Sequence, residues 1–251
     1  MGRIVTGRLL LLRHGESTAN AAGTFTGILD VALTPRGAEQ AEAAGALLRR
    51  ADIIPDLTLT STLQRTVHTA ELVSDVLGRD IPTEALWQLN ERNYGALTGM
   101  TKADARAALC EVAFTSIRRS RTGRPPAMPA RTWLELRSAS ALRGLPVAAV
   151  RRTESLADVI DRVRPVLTRW IVPALRAGRT VLVVAHGNSL RALCVVVDGL
   201  TDPELEGLNL PTGQPLLYRL QPDGNLSPRG GAFLDPAAHD AAALVAAEGG
   251  T

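Results

Sequence analysis

The chain has 251 residues, 45% hydrophobic and 21% charged, with a formal charge of +3. That is enough apolar material for one complete α/β core, but no window approaches the roughly 20 consecutive apolar residues that a bilayer crossing needs. Met1 to Arg8 holds no apolar signal core, so neither secretion nor membrane anchoring is indicated and a cytoplasmic location is expected.

The first element is Leu9-Leu10-Leu11-Leu12, a buried strand that brings Arg13 and His14 to its end, with Gly15 next. An imidazole there can attack phosphorus, a guanidinium can hold two phosphoryl oxygens as a fork, and glycine lets the backbone come close. Thr34-Pro35 reads as an N-cap and first helical residue, opening a helix to Arg49 with a stripe of Ala38, Ala41, Gly45 and Leu48. Leu57 to Thr60 is a second short strand. Ser61 follows it, then a helix with Arg65 in its first turn and a face of Leu63, Val67, Ala70 and Val73, ending before Gly78.

A third extended segment is expected near Ile81 to Leu86, ahead of the irregular stretch Asn90-Glu91-Arg92-Asn93-Tyr94-Gly95. Thr101 can cap a helix running through Cys110. Ile117 to Arg152 is interrupted by Pro125, Pro126, Pro129, Gly144 and Pro146, and reads as an insertion or lid. It carries nine arginines (118, 119, 121, 124, 131, 137, 143, 151 and 152) against one acid, Glu135, and so attracts anions. Beyond Arg118 and Arg119, a solvated loop is the expectation for this run. A nucleic-acid surface is disfavoured, because Trp133 is its one aromatic residue and no reader motif is present.

Thr153 to Leu175 is amphipathic, with Pro165 and Pro173 placed to kink or divide it. Thr180 to Ala185 is the clearest strand of the chain, and it leads to a second histidine and glycine, His186-Gly187. A helix over Ser189 to Val197 and a strand near Leu216 to Leu220 follow, then an alanine- and glycine-rich tail from Asp235 to Thr251 that is expected to be mobile. Strands alternating with helices imply a single three-layer α/β domain, a mostly parallel sheet with helices on both faces. Ligands then bind at the carboxyl ends of the strands. His14, Ser61 with Arg65, and His186 all fall there.

Cys110 and Cys194 belong to no ligand cluster and are expected as reduced thiols. The four histidines (14, 68, 186, 239) show no metal spacing, so metal-free chemistry is favoured. Phosphoryl transfer needs a nucleophile and positive charge around three equatorial oxygens, which His14, Arg13, Arg65, His186 and the amides of Gly187 and Asn188 can supply. Glu91 is the candidate proton donor and acceptor for the alkoxides. His68 and His239 are read as ordinary surface or core histidines.

Four stretches carry a resemblance: Arg13-His14-Gly15-Glu16-Ser17, Thr26-Gly27, Leu89 to Leu97, and Ala185-His186-Gly187-Asn188-Ser189-Leu190-Arg191. Together they resemble the cofactor-dependent phosphoglycerate mutases of the histidine phosphatase superfamily. The resemblance implies that His14 is phosphorylated, with 2,3-bisphosphoglycerate as the priming cofactor. It further implies that Glu91 moves the proton, that His186 steadies the phosphoryl group, and that Arg13, Ser17, Asn20, Arg65, Gly187 and Asn188 surround the phosphate. Thr26, Gly27, Arg92, Tyr94, Lys102, Arg118 and Arg119 would hold the rest of a small phosphorylated substrate, and a homodimer or homotetramer is expected. A phosphatase of the same superfamily, passing the phosphoryl group to water, is the alternative. Two departures stand out: Asn93 replaces the usual histidine, and the segment after Arg119 lacks the family's aromatic residues.

Overall fold

The structure, a computed structural model, describes residues 6–247. In chain order its elements begin with β1 (Arg8–Arg13), α1 (Thr18–Ala21), α2 (Pro35–Arg50), β2 (Leu57–Thr60), α3 (Gln64–Leu77) and β3 (Thr83–Ala85). Four helices follow: α4 (Lys102–Ala108), α5 (Glu111–Arg119), α6 (Ala130–Arg137) and α7 (Leu156–Val166). The rest are α8 (Val172–Arg176), β4 (Thr180–Ala185), α9 (Gly187–Asp198), α10 (Asp202–Gly207), β5 (Leu216–Leu220), β6 (Leu226–Phe233) and α11 (Ala238–Ala247).

Among the described residues the strands form one sheet in the order β3-β2-β4-β1-β5-β6. The pairs β3/β2, β2/β4 and β4/β1 are parallel, while β5 runs antiparallel to both neighbours. The sheet is thus mostly parallel, as the alternation of strands and helices implied. Its two faces divide the leucine run by the period of two that a strand imposes. Leu9 and Leu11 join Val181 and Val183 beneath α7, α8 and α9. Leu10 and Leu12 join Leu182 and Val184 beneath α2 and α3.

The local signals account for most boundaries. Thr34 caps α2 by accepting from the Gly37 amide at 3.0 Å, and Pro35 needs no amide partner at the first helical position. Gly78 ends α3 in the left-handed conformation, at φ +63°. Pro165 lies inside α7, and a π-helical turn over Leu167–Ile171 separates that helix from α8, with Pro173 in the first turn of α8.

Several elements differ from expectation. The helix expected from Thr101 through Cys110 breaks after Ala108, and a new helix starts at Glu111. The predicted strand at Leu216 is the first arm of a hairpin whose second arm, β6, the glycines and Pro228 of that arm concealed. The arginine-rich run is not simply solvated: α6 forms within it, and Met128, Leu142, Ala149 and Val150 are buried. Its apolar residues are few and irregularly spaced, so no periodic signal marks them, but Leu142, Ala149 and Val150 pack on Ile28 and Leu63. In the tail, α11 forms and Ala238 is buried. Residues 248–251, like Met1 to Val5 at the other end, lie outside the described residues.

Candidate active site

The site begins with strand register. β1 and β4 are parallel neighbours with Arg13 opposite Ala185, so His14 and His186, the next residue on each, emerge side by side. The His14 amide continues the ladder to the Ala185 carbonyl at 3.0 Å. The two imidazoles lie with centroids 4.9 Å apart and planes at 65°, both buried.

A glycine pair makes this strand end possible. A Cβ on Gly15 would sit 2.0 Å from the Gly37 carbonyl oxygen, and one on Gly37 would sit 2.0 Å from the Glu16 carbonyl oxygen. The loop after β1 therefore rests directly on the start of α2.

Hydrogen bonding settles the proton positions on both rings. His14 Nδ1 lies 2.6 Å from the Gly15 carbonyl oxygen, which can only accept, so Nδ1 carries the proton and Nε2 keeps a lone pair. Arg65 Nε donates to His186 Nδ1 at 3.2 Å, which leaves the proton on Nε2, donated to Ser61 Oγ at 2.8 Å. Ser61 in turn is 2.7 Å from Thr66 Oγ1. Burial, followed by the charge of Arg65, holds both imidazoles well below their ordinary range. Arg13 adds to this at each, and at His186 the neighbouring His14 and Arg162 do so too. Two neutral histidines in a strongly positive field are the result.

Arg65 is fully buried and is pushed down to about 10 by desolvation, opposed by the Glu91 and Asp30 carboxylates. It remains charged at neutral pH. Its other donors reach the carbonyls of Leu29 (2.7 Å) and Gly27 (3.0 Å), the latter glycine at φ +52°. Arg13 Nη1 donates to the Leu210 carbonyl at 2.9 Å. Gly187 and Asn188 form the buried first turn of α9, which has no acidic residue to neutralise its N-terminal dipole. Asn188 Nδ2 donates to the Tyr94 hydroxyl at 2.9 Å, and its Oδ1 is buried without a partner. An excess of positive charge and a helix N-terminus without an acidic residue together fit a phosphorylated anion.

The remaining expected residues divide. Tyr94 is buried and reaches the centre through Asn188, and Thr26 is buried beside Gly27. Ser17 and Asn20 form a capping box at α1, with Ser17 Oγ donating to Asn20 Oδ1 at 2.8 Å. Lys102 opens α4, its amide bound to the Gly23 carbonyl, and Arg118 stacks on the Phe114 ring at 5.5 Å. Arg119 donates to the Glu206 carbonyl (3.3 Å) and Asn209 Oδ1 (3.4 Å). Arg92 departs from expectation. Its buried guanidinium donates to the carbonyls of Glu154, Ile117 and Gly123, so it fastens the chain around Ile117–Gly123 rather than presenting its charge to a ligand. Asn93 likewise binds chain, donating to the Arg151 carbonyl and accepting from the Gly95 amide.

Asn90, Glu154 and Arg162 join the site unannounced by the sequence, which places Ser61 at the right strand end, four residues before Arg65, without giving it a role.

The pattern of the histidine phosphatase superfamily (branch 1) matches residues 9–226, spanning both histidine strand ends. The chain belongs to this superfamily. A Thermobifida fusca member named 2,3-bisphosphoglycerate-dependent phosphoglycerate mutase is 46% identical over 231 residues, covering 92% of this chain and 94% of that one. A Mycobacterium tuberculosis member of the same name is 46% identical over 248 residues, covering 97% and 98%. Among solved structures, the mycobacterial glucosyl-3-phosphoglycerate phosphatase complexed with VO3 superposes with TM-score 0.64 at 25% identity, covering 84% of this chain and 92% of that one. Among the described residues no helix is long and apolar enough to cross a membrane, and no group of His, Cys, Asp or Glu could hold a metal. Both cysteines are free.

Proposed function

We propose that this superfamily member is a 2,3-bisphosphoglycerate-dependent phosphoglycerate mutase, interconverting 3-phosphoglycerate and 2-phosphoglycerate through a phosphohistidine at His14. The observation that carries the reading is the paired His14 and His186 under the charge of Arg13 and Arg65. The mutases of Thermobifida fusca and Mycobacterium tuberculosis, nearly half identical over almost the whole chain, support the choice of substrate.

His14 Nε2, left with its lone pair, attacks phosphorus while the bond to the ester oxygen breaks. Glu91 gives its carboxyl proton to the departing alkoxide. In the opposite direction the Glu91 carboxylate takes the proton from the hydroxyl that attacks the phosphohistidine. Arg13, Arg65 and the Gly187 and Asn188 amides bear the charge on the equatorial oxygens, with no reorganisation at the moment of transfer. His186, neutral and protonated at Nε2, donates to one of those oxygens in exchange for Ser61. Ser17, Asn20, Thr26, Gly27, Tyr94, Lys102 and Arg118 surround the substrate, and Arg119 reaches it by exchanging its two long bonds to Glu206 and Asn209. The same residues suit 2,3-bisphosphoglycerate, which when bound supplies the phosphoryl group that primes His14. The 117–152 segment acts as the lid of a single domain, and the enzyme works in the cytoplasm as a homodimer or homotetramer.

The likeness to a glucosyl-3-phosphoglycerate phosphatase, at 25% identity, supports a second reading in which water accepts the phosphoryl group. One experiment tests both. After incubation with 2,3-bisphosphoglycerate, mass spectrometry should find acid-labile phosphate on His14 and none in His14→Ala. A coupled assay should then show isomerisation outrunning release of inorganic phosphate. Label elsewhere defeats both readings, and faster phosphate release selects the phosphatase.

A further inference from the structure

Behind Glu91 lies an ion pair that no step above uses. Arg162 on α7 and Glu154, just before it, have side chains only 9% and 5% exposed, joined at 2.8 Å (Nε to Oε1) and 3.1 Å (Nη2 to Oε2). Two buried charges in this fork geometry satisfy each other, yet burial of such a pair seldom adds net stability over apolar residues of the same size. Its further bonds all go to one loop. Arg162 Nη1 donates to the Gln88 carbonyl, and Nη2 donates to the Glu91 carbonyl at 3.2 Å. Glu154 Oε2 accepts from the Asn93 amide at 2.9 Å, and the Glu154 carbonyl accepts from Arg92 Nε at 2.8 Å. From the opposite side, Asn90 Oδ1 accepts from Thr62 at the end of β2, at 2.9 Å from the amide and 3.0 Å from the hydroxyl. The backbone from Gln88 to Asn93 is therefore held on both sides of Glu91, whose carboxylate accepts from the Arg92 amide at 2.6 Å and acts electrostatically on Arg65.

We propose that Glu154 and Arg162 are positioning residues that fix the Glu91 carboxyl for proton transfer, without touching substrate. The inference rests on the role given to Glu91 above. Misplacing a catalytic group by about 1 Å costs on the order of 100-fold in rate. The loss should fall on the steps in which Glu91 moves a proton, at the departing alkoxide or the attacking hydroxyl.

The test compares two substrates. On the primed enzyme, isomerisation of 3-phosphoglycerate needs the attacking hydroxyl deprotonated and the departing alkoxide of the bisphosphate protonated, whereas p-nitrophenyl phosphate phosphorylates His14 by expelling a phenolate that leaves unaided. Arg162→Met should lower kcat with 3-phosphoglycerate on the order of 100-fold with little change in KM, and leave the burst of p-nitrophenolate that reports phosphorylation of His14 near the parent rate. Arg162→Lys, which keeps the charge but loses the fork, should fall between the two. Because Arg162→Met alone strands the Glu154 charge, the neutral double variant Glu154→Gln/Arg162→Met carries the test if the single variant does not fold. Equal losses on both substrates in the folded variants, or no loss on either, would overturn the proposal. Glu91→Gln is the control. If its own losses are equal on both substrates, the role of Glu91 fails; if they are selective while those of the Arg162 variants are not, only the positioning role fails.

Discussion

The two active-site histidines should make this protein sensitive to mild acid, and the size of the effect follows from their burial. Both imidazoles are held well below their ordinary values, chiefly by desolvation, so the folded protein refuses a proton that the unfolded chain accepts below about pH 6.5. The unfolded state then binds more protons, and stability falls as pH falls from about 6.5 toward the depressed folded values. At about pH 5.5, one unit below the free value, each histidine removes on the order of 1 kcal/mol, and the pair on the order of 2–3 kcal/mol. That is a large part of the roughly 5–15 kcal/mol that holds a typical domain together. Asp158, whose carboxyl is lowered by its bonds to Ser155 and by Arg124 and Arg151, loses its contribution only below about pH 5, outside this window. Urea unfolding at pH 7.5, 6.5 and 5.5 measures the slope, and His14→Gln should halve it. His68 and His239 are exposed and common to both proteins, so they cancel in the comparison. A stability flat across this range, or a variant as acid-sensitive as the parent, would refute the assignment of two neutral buried imidazoles.

Three further outcomes are expected. Glu91→Gln should reduce phosphoglycerate turnover by about 10²- to 10⁴-fold in steady-state assays while the fold, followed by circular dichroism, is unchanged. Gly15→Ala should destabilise by about 3 kcal/mol in urea titration, the upper part of the overpacking range, since its methyl meets the Gly37 carbonyl at 2.0 Å and neither backbone can yield. Thr34→Ala should cost about 1–2 kcal/mol in thermal unfolding, because the hydroxyl both caps α2 through Gly37 and donates to Glu16 Oε1 at 2.9 Å.

How much of the site was legible varies with how local its cause is. Arg13-His14-Gly15 and His186-Gly187 could be read because an apolar run ending in a polar residue marks a strand end, whatever surrounds it. Arg92 could not be read correctly. Its type and position suit a ligand contact, but the carbonyls that claim its guanidinium come from Glu154, Ile117 and Gly123, far along the chain. Glu154 and Arg162 are illegible for a similar reason, since their partners on the Glu91 loop lie 61 to 74 residues earlier and meet them only once α7 packs behind that loop. The second hairpin arm was hidden by Pro228 and two glycines, residues tolerated at a sheet edge and rare within one.

Read alone, the amino-acid order determined the alternating strands and helices, the helix caps at Thr34 and Thr101, and the chemical types needed for phosphoryl transfer. It did so because propensity, capping and hydrophobic period act over a few neighbouring residues. Tertiary structure alone decided that Arg13 lies opposite Ala185, which sets the imidazoles face to edge, and which nitrogen of each ring holds the proton. A leucine run buried on both faces specifies no register of its own, and a tautomer depends on partners brought from elsewhere in the chain, Arg65 and Ser61 among them.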